Sequence, residues 1–163
     1  MSSNRPTITT FGCRLNIWES EVIRKHATDA YLNNTVIFNT CAVTSEAEKQ
    51  ARQAIRKIKR EQPDKQIIVT GCAAQINPEK WNAMSEVDCV IGNHEKLLAD
   101  SWQRLRNNQL SGIEVTDISK VKETASHMID SFEEHTRGFL QIQQGCNHRC
   151  SFCIIPYLSL IHI

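Results

Sequence analysis

The chain alternates between two hydrophobic periods. Short β-branched runs occur at residues 7–11 (TITTF), 35–39 (TVIFN), 66–70 (QIIVT) and 88–91 (DCVI). Between and after them lie stretches in which apolar positions return every three or four residues. The runs predict strands, and the stretches predict helices over 16–32, 45–61, 78–84 and 95–107. In the second of these helices Ala47, Ala51, Ala54, Ile55 and Ile58 fall on one face. Ser45 with Glu48 three residues later resembles a capping box at its start, and Pro63 stops it. Strands separated by helices imply parallel pairing through right-handed crossovers, hence an α/β layer fold over residues 1–108. Residues 109–137 turn polar and lose period, which marks a connector with one extended stretch at 113–118. Residues 138–143 (GFLQIQ) read as a new strand, the first of a second α/β domain that the chain barely enters.

Composition adds a compartment. Of 163 residues, 40% are hydrophobic and 23% charged, as in soluble globular proteins. The N-terminal MSSNRPTITT has no apolar signal-peptide core, and no stretch is apolar enough to span a bilayer. These features place the protein in the cytoplasm, away from membranes. Thiols stay reduced there, so seven cysteines point to metal binding or catalysis rather than disulfides. The formal net charge of +1 gives no whole-chain argument for nucleic acid, so any such argument must be local.

Six of the cysteines fall into two sets. Cys13, Cys41 and Cys72 each follow a strand, in TITTFGC, TVIFNTC and IIVTGC. Carboxyl ends of neighbouring parallel strands lie on one edge of the sheet, where ligand sites form. Three thiols at three such ends therefore converge without any short motif. A cysteine is also a small buried hydrophobe, but one placed inside a strand, as Cys89 is, fits that reading better. The second set, Cys146, Cys150 and Cys153, lies in GCNHRCSFC. Three thiolates from one loop cap three irons of a cubane cluster and leave the fourth iron open to an exogenous molecule. Electron-transfer clusters instead close every iron with four cysteines. The alternative is zinc, with His148 joining Cys146, Cys150 and Cys153, although the single-residue gaps on either side of His148 strain a tetrahedron.

C-x3-C-x-Phe-C at the end of a first strand resembles the radical S-adenosylmethionine (SAM) superfamily. There three cysteines hold a [4Fe–4S] cluster and SAM chelates the open iron; Phe152 matches the aromatic residue that commonly precedes the last cysteine and contributes to the cofactor site. FGCRLNIWES, NTCAVTSEAEKQARQ, TGCAAQ and IGNHEK together resemble the N-terminal domain of the methylthiotransferases. The resemblance covers residues 7–157. GCRLN and NTCAVT look most like the branch acting on N6-threonylcarbamoyladenosine at tRNA position 37, rather than the isopentenyladenosine or ribosomal-protein branches.

The resemblance implies two [4Fe–4S] clusters, one on Cys13, Cys41 and Cys72 and one on Cys146, Cys150 and Cys153. The second would reduce SAM to a 5′-deoxyadenosyl radical that abstracts hydrogen at C2 of the modified adenine. The first would present a methylated sulfur. It also implies a tRNA substrate and a reductant for the clusters. After CIIPY the chain departs from the family, which continues through a partial barrel and a small RNA-binding domain. Residues 138–157 are thus the start of a truncated radical SAM domain, and 158–163 (LSLIHI) read as a non-native tail. A chain so shortened is expected not to catalyse alone. Rival classes are an iron–sulfur electron-transfer or scaffold protein, which needs no SAM, and a zinc-binding module.

Other residues carry weaker signals. Lys49, Arg52, Arg56, Lys57, Lys59 and Arg60 occupy one helix with no acid among them, and Arg52 and Arg56 are expected to lie opposite the alanine–isoleucine stripe. Lys59 or Arg60 is expected on that same face, and such a face binds phosphates, or is simply solvated, the commoner meaning of a charge run. Asn16, Glu19 and Ser20 either support the Cys13 loop through hydrogen bonds or face outward. Glu133, Glu134 and His135 read as exposed connector with no catalytic role. Trp18, Trp81 and Trp102 fit helix packing.

Overall fold

The computed structural model describes residues 5–121 and 141–159. Among these, β1 (Thr7–Thr10), β2 (Thr35–Thr40), β3 (Gln66–Gly71), β4 (Cys89–Ile91) and β5 (Gly112–Glu114) form one parallel sheet in the order β1-β2-β3-β4-β5. The helices are α1 (Arg14–Asp29), α2 (Ser45–Glu61), α3 (Cys72–Ile76), α4 (Pro78–Asn82) and α5 (Ala99–Arg106). The α/β class and the parallel pairing follow the hydrophobic periods. The sheet takes its fifth strand from within the stretch read as a connector, so the layer extends past residue 108.

The strand side chains alternate between two cores, as a parallel sheet covered on both faces requires. Ile37, Ile68, Cys89 and Ile91 pack with Ile23 and Ala27 of α1 and with Trp102 and Leu105 of α5. Val36, Phe38, Ile67, Val69 and Val90 pack with Ala51 and Ile55 of α2, Ala73 and Ala74 of α3, and Trp81 of α4. Each isoleucine, valine, leucine or phenylalanine among them taken from water contributes about 1.5–3 kcal/mol. Trp81 and Trp102 are core residues and Trp18 is half-buried. Cys89, as expected from its place inside a strand, is core, and burial pushes its thiol up to about 12.

Handedness departs from expectation. The sheet grows in one direction, yet α1 and α5 cover one face while α2, α3 and α4 cover the other. Connections that step the same way across opposite faces have opposite hands, so the right-handed rule cannot hold for all four.

Several element ends also move. The start of α2 is capped by Thr44, whose Oγ1 accepts from the Ala47 N–H at 3.2 Å, while Ser45 is already helical. Glu48 is thereby free of the expected capping box and pairs with Arg52 and Lys80 instead. The helix expected over 95–107 breaks into a 3₁₀ turn, Glu95–Leu97, and α5, because Leu98 is extended. Residues 141–143 form no strand, and Gln144 makes only an isolated bridge; the rest of the strand expected over 138–143 lies outside the described residues, as do Glu133, Glu134 and His135. Leu158 and Ser159, read as the beginning of a non-native tail, are buried: Asn93 Nδ2 donates to the Leu158 carbonyl at 3.0 Å, and Cys146 N–H donates to that of Ser159 at 3.2 Å.

The break before α5 serves a buried charge. Lys96 is wholly inaccessible, and its Nζ donates to Glu19 Oε2 of α1 at 2.6 Å and to Asn93 Oδ1 at 2.8 Å. The Lys96 carbonyl accepts from Trp102 Nε1 at 2.9 Å, which ties the turn to α5. Removing one partner of such a pair strands a charge in low dielectric. Lys96→Met is therefore expected to lower the unfolding free energy by about 3–5 kcal/mol in urea titration. The double variant Lys96→Met/Glu19→Leu is expected to regain most of that loss, and equal losses in both would show that the pair is not the cause.

Candidate metal centre

Cys13, Cys41 and Cys72 stand at the carboxyl ends of β1, β2 and β3, which are neighbours in the sheet. Cys41 directly follows β2, Cys72 directly follows β3 and opens α3, and Cys13 is the residue before α1. Adjacent strands lie about 4.8 Å apart, so three consecutive ends span about 10 Å of one edge. The thiols are exposed at Cys13, half-buried at Cys72 and buried at Cys41.

Two glycines let the loops approach. Gly12 has φ +113°, and a Cβ there would stand 2.8 Å from the Cys41 Cβ and 3.1 Å from its sulfur. Gly71 has φ +94°, and a Cβ there would meet the Thr40 carbonyl at 2.4 Å. Any side chain at either position would prise the cysteine loops apart. The glycine before the cysteine is visible in FGC and TGC, but its reason emerges only from the cross-strand contact.

The Asn16, Glu19 and Ser20 side chains support the edge from beneath; none faces outward, since each is no more than 2% exposed. Asn16 Nδ2 donates to the carbonyls of Phe11 at 2.8 Å and Thr40 at 3.2 Å, joining the Cys13 and Cys41 loops. Its Oδ1 accepts from the Cys13 thiol at 3.6 Å. The Ser20 hydroxyl accepts from Thr10 Oγ1 at 2.7 Å and from Asn39 Nδ2 at 3.0 Å. Asn39, within β2, was missed by reasoning from periodicity because a polar residue in a strand reads as an outward position. Cys41 sulfur accepts from the Val43 N–H at 3.4 Å.

The electrostatics single out Cys72. Burial pushes its thiol up to about 11; the Lys96 ammonium pulls the other way, while Glu19 and the neighbouring Cys41 and Cys13 add to the rise. That the three cysteines and the Lys96–Glu19 pair act on one another shows that they share one neighbourhood. Lys96 and Asn93 lie in the IGNHEK string, but neither strand nor helix pattern marks them as members of the site.

Among the described residues no three His, Cys, Asp or Glu side chains meet closely enough to hold one metal ion. A single ion needs its donors in one shell about 2.3 Å away, whereas a cubane takes each thiolate at a separate iron. Cys146, His148, Cys150 and Cys153 lie together in one loop. In that loop Cys146 and Cys153 are half-buried and His148 and Cys150 exposed; Cys153 N–H donates to the Cys150 carbonyl at 3.0 Å. Phe152 is 92% exposed. A cleft of about 820 Å³ separates this loop from residues 115–119 beyond β5, with Gln75, Thr116, Phe152 and Cys153 on its walls.

Alkylation of the metal-free chain should resolve the thiols. A thiol titrating near 11 is about one part in a thousand thiolate at pH 8. Cys72 is expected to react with iodoacetamide more slowly than exposed Cys13, by roughly tenfold or more, and to accelerate about tenfold per pH unit as pH rises toward 11. Peptide mass spectrometry reads both rates, and equal rates at pH 8 would contradict the buried, proton-holding Cys72.

Comparison with known proteins places this edge in a family. The family model described as Uncharacterized protein family UPF0004 matches residues 5–92. The chain is 58% identical over 154 residues to the threonylcarbamoyladenosine tRNA methylthiotransferase MtaB of Rickettsia prowazekii (strain Madrid E), covering 94% of this chain and 36% of that protein. It is 33% identical over 157 residues to the protein of the same name from Aquifex aeolicus (strain VF5), covering 91% of this chain and 38% of that one. With the tRNA-2-methylthio-N(6)-dimethylallyladenosine synthase of Mycobacterium bovis (strain ATCC BAA-935 / AF2122/97) it shares 31% identity over 164 residues, 93% of this chain and 32% of that protein. The chain thus spans about a third of the length of these relatives. The matched segment runs from β1 through β4 and contains Cys13, Cys41 and Cys72, and the chain belongs to the UPF0004 family.

Proposed function

We propose that the chain is the N-terminal part of a radical SAM tRNA methylthiotransferase that adds a methylthio group to C2 of N6-threonylcarbamoyladenosine at position 37. The observation that carries this reading is the gathering of Cys13, Cys41 and Cys72 at three adjacent strand ends. The printed names of the relatives support the same chemistry. The identity of 58% with a threonylcarbamoyladenosine enzyme, against 31% with a dimethylallyladenosine enzyme, favours the first substrate.

Cys13, Cys41 and Cys72 would hold one [4Fe–4S] cluster; Cys146, Cys150 and Cys153 would hold another, with SAM at its open iron and Phe152 beside it. When bound, these groups supply the radical and sulfur chemistry, and the protein's part is to place them. The Val43 N–H, donating to the Cys41 sulfur, holds that donor in orientation, and Asn16 ties the Cys13 and Cys41 loops together through the Phe11 and Thr40 carbonyls. Lys96 offsets part of the cost of ionising Cys72, which must lose its proton to bind iron. Modification of tRNA and reduction of the clusters belong in the cytosol, and the seven free thiols suit that compartment. Among the described residues no helix is long and apolar enough to cross a membrane.

Anaerobic reconstitution with iron and sulfide tests the assignment. Cys13→Ala, Cys41→Ala and Cys72→Ala are each expected to remove about one four-iron cluster from the chain, by iron and sulfide analysis and EPR. Cys89→Ala should leave the count unchanged. Full cluster content in Cys13→Ala would overturn the ligand set, and binding of zinc alone would favour the zinc-module reading.

A further inference from the structure

The helix that follows Cys41 carries its positive charge in an organised way. A groove of about 420 Å³ lies between α2 and α4, walled by Lys49, Arg52 and Arg56 of α2 and Lys80 of α4, with Glu48 as its single acid. Four cations against one anion leave a local excess of three positive charges in a chain whose formal net charge is +1. The excess is therefore concentrated here and compensated elsewhere.

The groove is built rather than incidental. Glu48 accepts from both Arg52 and, at 2.7 Å, Lys80, so one carboxylate holds two cations from different helices. Burial works against ionisation of Glu48, yet Lys80 and Arg52 hold its carboxyl below the usual range, which keeps the clamp charged near neutral pH. The Arg52 guanidinium lies 5.5 Å from the centre of the Trp81 ring, a cation–π contact that restrains it further. Arg52 is thus half-buried against α4 rather than opposite the apolar stripe, where sequence periodicity put it. Lys49 is exposed and has no acidic partner among the described residues; Arg56 is exposed, with Glu86 only at 3.8 Å. Two cations are fixed and two are available.

We propose that this groove binds the phosphodiester backbone of RNA and leads it toward the cysteine edge. The inference rests on the tRNA-modifying reading above, which selects RNA among polyanions. Along α2, Lys49 and Arg56 are seven residues apart, about 10 Å at the helical rise, a span that serves neighbouring phosphates rather than one isolated anion. The end of the groove nearest Ser45 adjoins the loop that carries Cys41, so a strand held there enters at the edge where the three thiols stand. Contacts of this kind position a nucleic acid without reading its bases.

The test is fluorescence anisotropy with a labelled RNA stem-loop and the 163-residue chain, titrated across about 50–200 mM salt. Lys49→Gln/Arg56→Gln, which removes only the exposed Arg56–Glu86 pair at 3.8 Å, is expected to weaken binding by about tenfold and to reduce the slope of log K against log salt by about 1.4–1.8. Lys57→Gln/Arg60→Gln, exposed positions of the same helix that do not wall the groove, should change affinity less than about twofold. Equal effects of the two pairs, no effect of either, or failure of the unsubstituted chain to bind the stem-loop at the lowest salt would overturn the groove. Iron and sulfide content of the same reconstituted samples separates the two ideas. A groove pair that loses nothing while clusters load normally defeats the groove alone. A chain that binds RNA through the groove but loads no cluster defeats the methylthiotransferase reading alone.

Discussion

The ion pair between Lys96 and Glu19 is the constraint around which the cysteine edge of the sheet is arranged. Two opposite charges lie within hydrogen-bond reach with almost no access to water. Taking both ions out of solvent costs several kcal/mol each, and only good geometry with further hydrogen bonds offsets that cost. Asn93 supplies one such bond and in turn holds the Leu158 carbonyl, so the 145–159 loop is fastened to the same knot. To reach Glu19, the chain after β4 turns tightly through Glu95–Leu97 and only then resumes a helix, which is why α5 begins at Ala99. The interaction joins α1, the turn after β4 and the second cysteine loop in one polar cluster beneath the first cysteine set.

That cluster explains how three thiols can sit together at a partly desolvated edge. Thiolates gathered within one edge repel one another, and burial alone disfavours the ionised form, as the elevated Cys72 shows. The Lys96 ammonium opposes the rise at Cys72, while its partner Glu19 adds to it. The backbone does the rest: left-handed glycines before Cys13 and Cys72 bring the loops closer than any other residue permits, and Asn16 bonds across them. The site is therefore assembled from strand ends, glycine conformation and one asparagine, with the charge balance set from below. The three strand ends belong to a parallel sheet packed on both faces, with β1 at its edge.

The opposite side of α2 shows a different use of charge. Glu48 organises cations where Glu19 neutralises one. At the exposed groove the surplus remains positive and solvent-accessible; at the buried pair nothing remains. Charge in this small domain is thus divided between an interior balance that stabilises the cysteine edge and an exterior excess suited to a polyanionic partner.

Most of the architecture was legible in the chain because strand and helix periods are local properties. The four strand segments, the course of α2, the place of Cys89 in the core and the address of the three cysteines after three strands follow from patterns within about ten residues. Sequence spacing also grouped Cys146, Cys150 and Cys153, although their loop is not gathered into a single-ion shell. What periodicity could not supply were choices made between distant segments. The faces that α1 and α2 cover, the addition of β5 and the burial of Lys96 against Glu19 depend on contacts between residues tens of positions apart. A lysine or glutamate in a helix pattern reads as solvent-facing, and only a partner seventy-seven residues away makes its burial tolerable. The sequence by itself determined which elements form and where the thiols stand along them; tertiary structure decided how close those thiols come and what charge lies beneath them, because those quantities exist only once the strands are side by side.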